Sequence, residues 1–228
     1  MDALDRAWPP VREYFYCDDS VCIIHGDCRE IVPDLPKPGL ILADVPYGIS
    51  VVENAGWGWK GDARRKGSKP IAGDAEPFDP AWLLDLNVPT MLWGSNHYAS
   101  RLPDAKGWVA WDKATRNGLD LKQAEIEFAW TNYLTRPMCF RHMWSGAFRD
   151  SERGTRFHPT QKPVALMSWA LTLRNTPAEG YILDPYMGCG PVLRAAKDLG
   201  RKAIGIEIEE RYCAIAAKRM AQGVLNFG

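Results

Sequence analysis

The sequence predicts an α/β protein built on a doubly wound, mostly parallel sheet. Short apolar runs at 21–24, 40–43 and 203–206 alternate little between polar and apolar, as strands buried on both faces do. Helical segments separate several of these runs. The 228 residues suffice for one large domain with a substantial core, and no internal repeat is visible.

The first strand, 21–24, ends at Gly26-Asp27, and the second, 40–43, leads into Asp44. Residues 49–77 lack periodic apolar positions and are rich in Gly, Lys and Arg, which reads as a functional loop or lid. Asp79 is placed to cap a helix with Pro80 at its first position. Strands follow at 90–93 and 108–111, joined through Ser95-Asn96-His97 and a short helix, and another at 126–131. Thr160 is expected to cap a helix carrying Pro163, Val164, Met167 and Leu171. Strands at 181–183 and 203–206 flank a helix that starts at Pro191 and stops at Gly200. Residues 209–221 form an amphipathic helix, with acids at its start and Lys218 and Arg219 near its end, matching the helix dipole.

Lys plus Arg and Asp plus Glu both number 28, so the net charge is zero and any polyanion contact is local. Two basic clusters stand out. One holds Lys60, Arg64, Arg65, Lys66 and Lys69; the other holds Arg136, Arg141, His142, Arg149, Arg153 and Arg156. Either is a solvated surface or a set of phosphate contacts. The six cysteines include no CxxC pair and fit no common zinc pattern, so buried free thiols in a reducing cytosol are the reading. The N-terminus shows no signal pattern and no apolar run approaches a membrane span, so a soluble cytoplasmic protein is expected.

Two segments carry chemistry. Asp184-Pro185-Tyr186-Met187-Gly188-Cys189-Gly190 lies between a strand and a helix, and its glycines let a ligand approach backbone N–H groups at the helix start. Glu207 follows at the end of the next strand, where an acid accepts hydrogen bonds from ribose hydroxyls. The loop lacks a full GxGxxG, and Asp184 would repel a pyrophosphate but suits a cationic amine, which points to S-adenosylmethionine. The other segment is Asp44-Val45-Pro46-Tyr47-Gly48. An exocyclic amine on a nucleobase is a poor nucleophile because its lone pair is delocalised. Its methylation needs acceptors for the N–H bonds and for the positive charge growing on nitrogen. Asp44 offers a carboxylate, the Val45 carbonyl is aimed by Pro46, and Tyr47 offers a face for a planar base. Such stacking requires the base to leave the duplex. The plain alternative is a strand-end turn.

Asp44-Val45-Pro46-Tyr47 resembles the (D/N/S)PPY motif of DNA amino-methyltransferases. His158-Pro159-Thr160-Gln161-Lys162-Pro163 resembles the HPTQKP segment of their circularly permuted β class, and 184–190 is similar to their DPFxGSG loop. Residues 93–98, 107–113 and 125–132 also resemble small phage and bacterial members. The resemblance covers nearly the whole chain from about Tyr14 and implies a Rossmann-like methyltransferase fold, circularly permuted, in one domain. It implies a DNA-facing loop at 49–77 and a target-recognition region at about 133–157.

By matching position, it implies that Asp44, Val45, Pro46 and Tyr47 hold the flipped base. Asp184, Tyr186, Gly188, Cys189 and Gly190 would line the S-adenosylmethionine site, with Glu207 on the ribose, Asp27 near the adenine, and Lys162 and Pro163 at the methionine end. Lys60, Arg64, Arg65, Arg136, Arg141 and Arg156 are the expected DNA contacts. No metal is expected. Two departures stand out. Val45 replaces the motif's first proline, so the backbone is less rigid while the carbonyl remains, and Pro191 replaces a Thr, so a hydroxyl is lost. The implied reaction is methyl transfer to adenine N6 in double-stranded DNA, in a bacterial cell or phage-infected host. Cytosine N4 as target, or a catalytically weak DNA-binding homologue, are the alternatives. A homodimer and a cognate restriction enzyme are partners the family allows. His158, Lys113 and the Ser95-Asn96-His97 turn each have a bland reading too, as packing, surface and helix entry.

Overall fold

The computed structural model describes residues 8–9, 13–50, 71–114, 124–145, 148–153, 157–158 and 160–223. In chain order the elements are β1 (Tyr16–Cys17), β2 (Val21–His25), α1 (Cys28–Ile31), β3 (Leu40–Asp44), α2 (Ala81–Leu84), β4 (Thr90–Trp93), β5 (Gly107–Asp112), β6 (Ile126–Thr131), β7 (Met138–Arg141), β8 (Trp144–Ser145), β9 (Phe148–Arg149), α3 (Val164–Leu171), β10 (Ile182–Asp184), α4 (Pro191–Asp198), β11 (Ala203–Glu207) and α5 (Glu210–Met220). They fall into two compact units. One comprises Met1–Ala43, Val88–Thr90 and Arg156–Gly228; the other comprises Asp44–Asn87 and Met91–Thr155.

In the first unit the strand order is β1-β2-β11-β10-β3. β2, β11, β10 and β3 run parallel, and β1 lies antiparallel on β2. The central strands are buried almost throughout, which is why each reads as an unbroken apolar run. The register pairs His25 with Glu207 and Asp184 with Gly205, so the carboxyl ends of three parallel strands gather on one edge. α3 packs on α4, and α4 on α5. Arg194 ties α4 to the end of α5 by donating to the Arg219 and Gln222 carbonyls, and Lys197 donates to Met220 O and to Asp18 Oδ2 at 2.5 Å. α3 begins at Val164 rather than being capped by Thr160: Pro163 is extended, and the Thr160 hydroxyl meets His158 Nδ1 instead. Cys17 and Cys22 face each other across the β1–β2 pair and form a disulfide, against the expectation of free thiols only. Cys28, Cys189 and Cys213 are buried free thiols and Cys139 is exposed.

In the second unit the order is β4-β6-β5-β7, with β8 and β9 forming a separate antiparallel pair. This part of the sheet is mixed: β6 is antiparallel to β4 and β5, while β5 and β7 are parallel. Burial alternates along β5, the pattern of a strand with one covered face. Trp93 and Trp111 meet edge to face at 6.4 Å in the core beside Met91, Val109 and Ala129. Asp79 Oδ1 accepts the Ala81 N–H, so the expected Asp-Pro helix start is present, one residue later than its sequence reading.

Candidate active site

In the first unit the loop after β10 turns sharply before α4. Gly188 has φ +51°, and among the described residues a side chain there would meet only the His158 ring, at 3.9 Å, so these residues leave room above the turn's backbone. Glu207, one strand over, reaches under this turn. Its Oε2 accepts the Gly188 N–H at 2.9 Å and its Oε1 accepts the Glu209 N–H at 2.8 Å. Each carboxylate oxygen retains acceptor capacity. Burial pushes the Glu207 carboxyl above the usual glutamate range, against the backbone hydrogen bonds that favour its ionised form.

Asp184 is buried, and its Oδ1 accepts the Tyr186 N–H at 3.2 Å. The Tyr186 side chain hydrogen-bonds Cys28 at the start of α1, which brings Asp27 and the Gly26 turn to the same edge. Gly26 N–H donates to Glu207 O. Asp27 is exposed and caps α1, its Oδ1 accepting the Arg29 N–H at 2.8 Å. Lys162 is buried, and Pro163 follows it in extended conformation.

Three further residues support this loop. His158 packs edge-on against Tyr212 at 4.4 Å. Buried Arg219 donates to the Cys189 carbonyl at 2.7 Å and lies over the Phe157 ring. Sequence reasoning left Tyr212 and Arg219 as generic positions of an amphipathic helix, because their partners lie in distant loops.

The second unit holds the other segment. Val45 is buried, and Tyr47 is fixed from several sides. Its hydroxyl lies 2.7 Å from Asp44 Oδ1 and 2.6 Å from Glu127 Oε1. Its ring stacks on His97, with centroids 5.0 Å apart and planes at 16°. Asp74 Oδ1 accepts the backbone N–H groups of Tyr47 at 3.1 Å and Gly48 at 2.9 Å. Gly94, at φ +73°, lies so close beneath the ring that an added Cβ would sit 1.9 Å from Tyr47 Cε1. Burial, then the charges of Asp44 and Glu127, hold the phenol well above its usual range, so it stays neutral. Glu127 Oε2 pairs with Lys113 Nζ at 3.1 Å, and Lys113 lies over the Trp111 ring. Lys113, His97, Asp74 and Glu127 thus belong to this site, though only the first two stood out in the sequence, and with surface or helix-entry readings.

The expected DNA contacts divide. Lys60, Arg64, Arg65 and Arg156 lie outside the described residues. Arg136 and Arg141 are exposed, and Arg141 Nε lies 3.8 Å from Asp112 Oδ2. Beside them His142 stacks on Phe140 at 5.6 Å and lies tilted against Trp144 at 6.2 Å, and Arg149 covers Trp144 at 4.3 Å. Burial lowers the His142 pKa, opposed by Asp150 and Glu152. Among the described residues no group of His, Cys, Asp and Glu is arranged to hold a metal ion, and no helix is long and apolar enough to cross a membrane.

Comparison with known proteins adds to this picture. The DNA methylase family of the N6/N4 type matches over residues 87–218. The chain is 42% identical over 84 residues to the type II methyltransferase M2.LlaDCHI of Lactococcus lactis subsp. cremoris, covering 36% of this chain and 31% of that protein. It is 41% identical over 81 residues to M2.DpnII of Streptococcus pneumoniae, covering 35% and 30%. The matched stretch is thus about a third of each relative. Similar folds are seen in the M1.HpyAVI–SAM complex (TM-score 0.56, 23% identity, 89% of this chain and 100% of that one) and in the cytosine-N4-specific PvuII DNA methyltransferase (TM-score 0.59, 12% identity, 92% and 88%). At these identities the likeness is one of fold. With the family matched over more than half of its length, the chain belongs to the N6/N4 DNA methylase family.

Proposed function

We propose that this chain transfers a methyl group from S-adenosylmethionine to the N6 amino group of adenine in duplex DNA, taking the base out of the helix to reach it. The observation that carries this reading is the turn after β3. It combines a carboxylate, a buried Val45 and an aromatic ring locked in one orientation at the carboxyl end of a strand. A generic strand-end turn needs none of the four supports that Tyr47 receives.

The first unit's residues fit the cofactor. Glu207 offers two oxygens with remaining acceptor capacity, the donor–acceptor match of a ribose diol. Buried Lys162 and Asp184 offer opposite charges for a carboxylate and an ammonium group. The open Gly188 turn admits a ligand close to the backbone. Asp27, Tyr186, Cys189 and Gly190 complete the proposed set, with Pro163 holding Lys162. When bound, S-adenosylmethionine supplies an electrophilic methyl group on a sulfonium.

The remaining work falls to the second unit. Asp44 holds one N–H of the target amine and stabilises the positive charge that develops on nitrogen. The Val45 carbonyl holds the other N–H, and Tyr47 stacks on the extruded base, with His97 backing its ring. Adenine is preferred over cytosine because the motif begins with Asp, which is a family-level analogy. Asp44→Ala should lower single-turnover methylation by about 10²–10³-fold at saturating cofactor. Tyr47→Phe should retain base capture better than Tyr47→Ala because a ring remains. Near-normal turnover in Asp44→Ala removes this segment from the active site.

A further inference from the structure

The Tyr47 oxygen makes two short contacts, 2.7 Å to Asp44 Oδ1 and 2.6 Å to Glu127 Oε1. Oxygens this close each need a hydrogen between them. The phenol brings one hydrogen, and ionised carboxylates bring none. Two contacts therefore require a second hydrogen, carried on a carboxyl.

We propose that Asp44 and Glu127 share one proton through the Tyr47 hydroxyl, which makes Glu127 a positioning residue that sets how strong an acceptor Asp44 presents to the target amine. The proposal rests on the methyl-transfer reading for its purpose, but not for its geometry. Around the trio, Lys113 lies 3.1 Å from Glu127 Oε2 and favours the Glu127 anion. His97 stacks on the Tyr47 ring, Asp74 binds the Tyr47 and Gly48 N–H groups, and Asp112 is paired with Arg141.

An amine donating to Asp44 opposes Lys113, because it favours the anion at the other end. Asp44 then gives its proton to the Tyr47 oxygen while Tyr47 gives its own to Glu127. The trio keeps its two hydrogens, Asp44 becomes acceptor-only, and Glu127 becomes the acid. The pair titrates as a unit, as two carboxyls sharing one proton do.

Infrared difference titration of the cofactor-free protein tests this without DNA or turnover. Wild type should show one protonated carboxyl at neutral pH, and Asp44→Asn and Glu127→Gln should each lose it. In single-turnover methylation against pH, Glu127→Gln should move the acidic limb to higher pH by about one unit or more. The singly protonated pair works with Asp44 ionised, its limb marks the pair's low second protonation, and Asp44 alone protonates above that. A purely structural Glu127 would leave that limb in place. Absence of the protonated carboxyl in wild type, its persistence in Asp44→Asn, or an unmoved limb in Glu127→Gln overturns the proposal. A wild type that shows the shared proton yet transfers no methyl group refutes the methyl-transfer reading alone.

Discussion

Tyr47 shows how much a single side chain depends on residues far from it in sequence. Its ring passes directly over Gly94, so the absence of a Cβ there is a condition of the stack on His97. Gly94→Ala should cost about 1–3 kcal/mol for a non-glycine residue held at φ +73°. It should also depress methyl transfer far more than cofactor affinity. Thermal unfolding and single-turnover assays check the two effects, and wild-type turnover in a folded variant would contradict the packing argument. Glu207 makes a pH prediction. Burial raises its carboxyl above the unfolded value, so the folded protein binds more protons in that window, and the group's contribution to stability falls as pH rises through it. On the proposed ribose role of Glu207, cofactor affinity should run the other way, because a ribose diol needs the ionised carboxylate. Calorimetric affinity for S-adenosylmethionine should rise with pH from the ordinary glutamate value upward, and Glu207→Gln should abolish that rise. The Asp44 to Tyr47 turn was legible in the sequence because its four residues are contiguous. Glu127 was not, because 80 residues separate it from Tyr47 and only the placement of β6 brings it there.

Elements buried on both faces announce themselves, and elements at edges do not. β2, β3, β10 and β11 are continuous apolar runs, and their limits agree with the sequence reading to within one residue. β1, β8 and β9 have two residues each, and β7 alternates with exposed positions, so no run marked them. α1 is a single turn defined by its Asp27 cap rather than by any periodicity. The late start of α3 follows from the same physics that makes Pro163 a boundary: the residue before a proline favours extended backbone. β7 also carries a prediction. It lies at the edge of the second unit's strand order and presents exposed Arg141, with exposed Arg136 just before it. If these two contact phosphates, replacing both with Ala should reduce the slope of log affinity against log salt by about 0.9 per contact. An unchanged slope in equilibrium DNA binding would mark them as a solvated surface.

At the scale of the whole molecule, zero net charge means that no general positive field draws in DNA, so recognition rests on local surfaces. The chain divides its chemistry by unit. The first gathers Asp27, Asp184 and Glu207 at the carboxyl ends of parallel strands, where open α/β sheets bind ligands. The second carries the carboxylate–phenol–carboxylate trio. The sequence order, with Asp44-Val45-Pro46-Tyr47 before the glycine loop at 184–190, was readable at once, as was the α/β class. The division into units was not, because it depends on which distant segments pack together. The central claim is that these parts methylate an exocyclic amine on DNA. The most direct test incubates the protein with methyl-labelled S-adenosylmethionine and unmodified duplex DNA, then digests the DNA to nucleosides and separates them. The account predicts label in N6-methyladenosine from wild type and a loss of about 10²–10³-fold in Asp44→Ala. Label in N4-methylcytosine would keep the mechanism and correct the base, whereas label on a ring carbon, or none from folded wild-type protein on DNA of varied sequence, would contradict it.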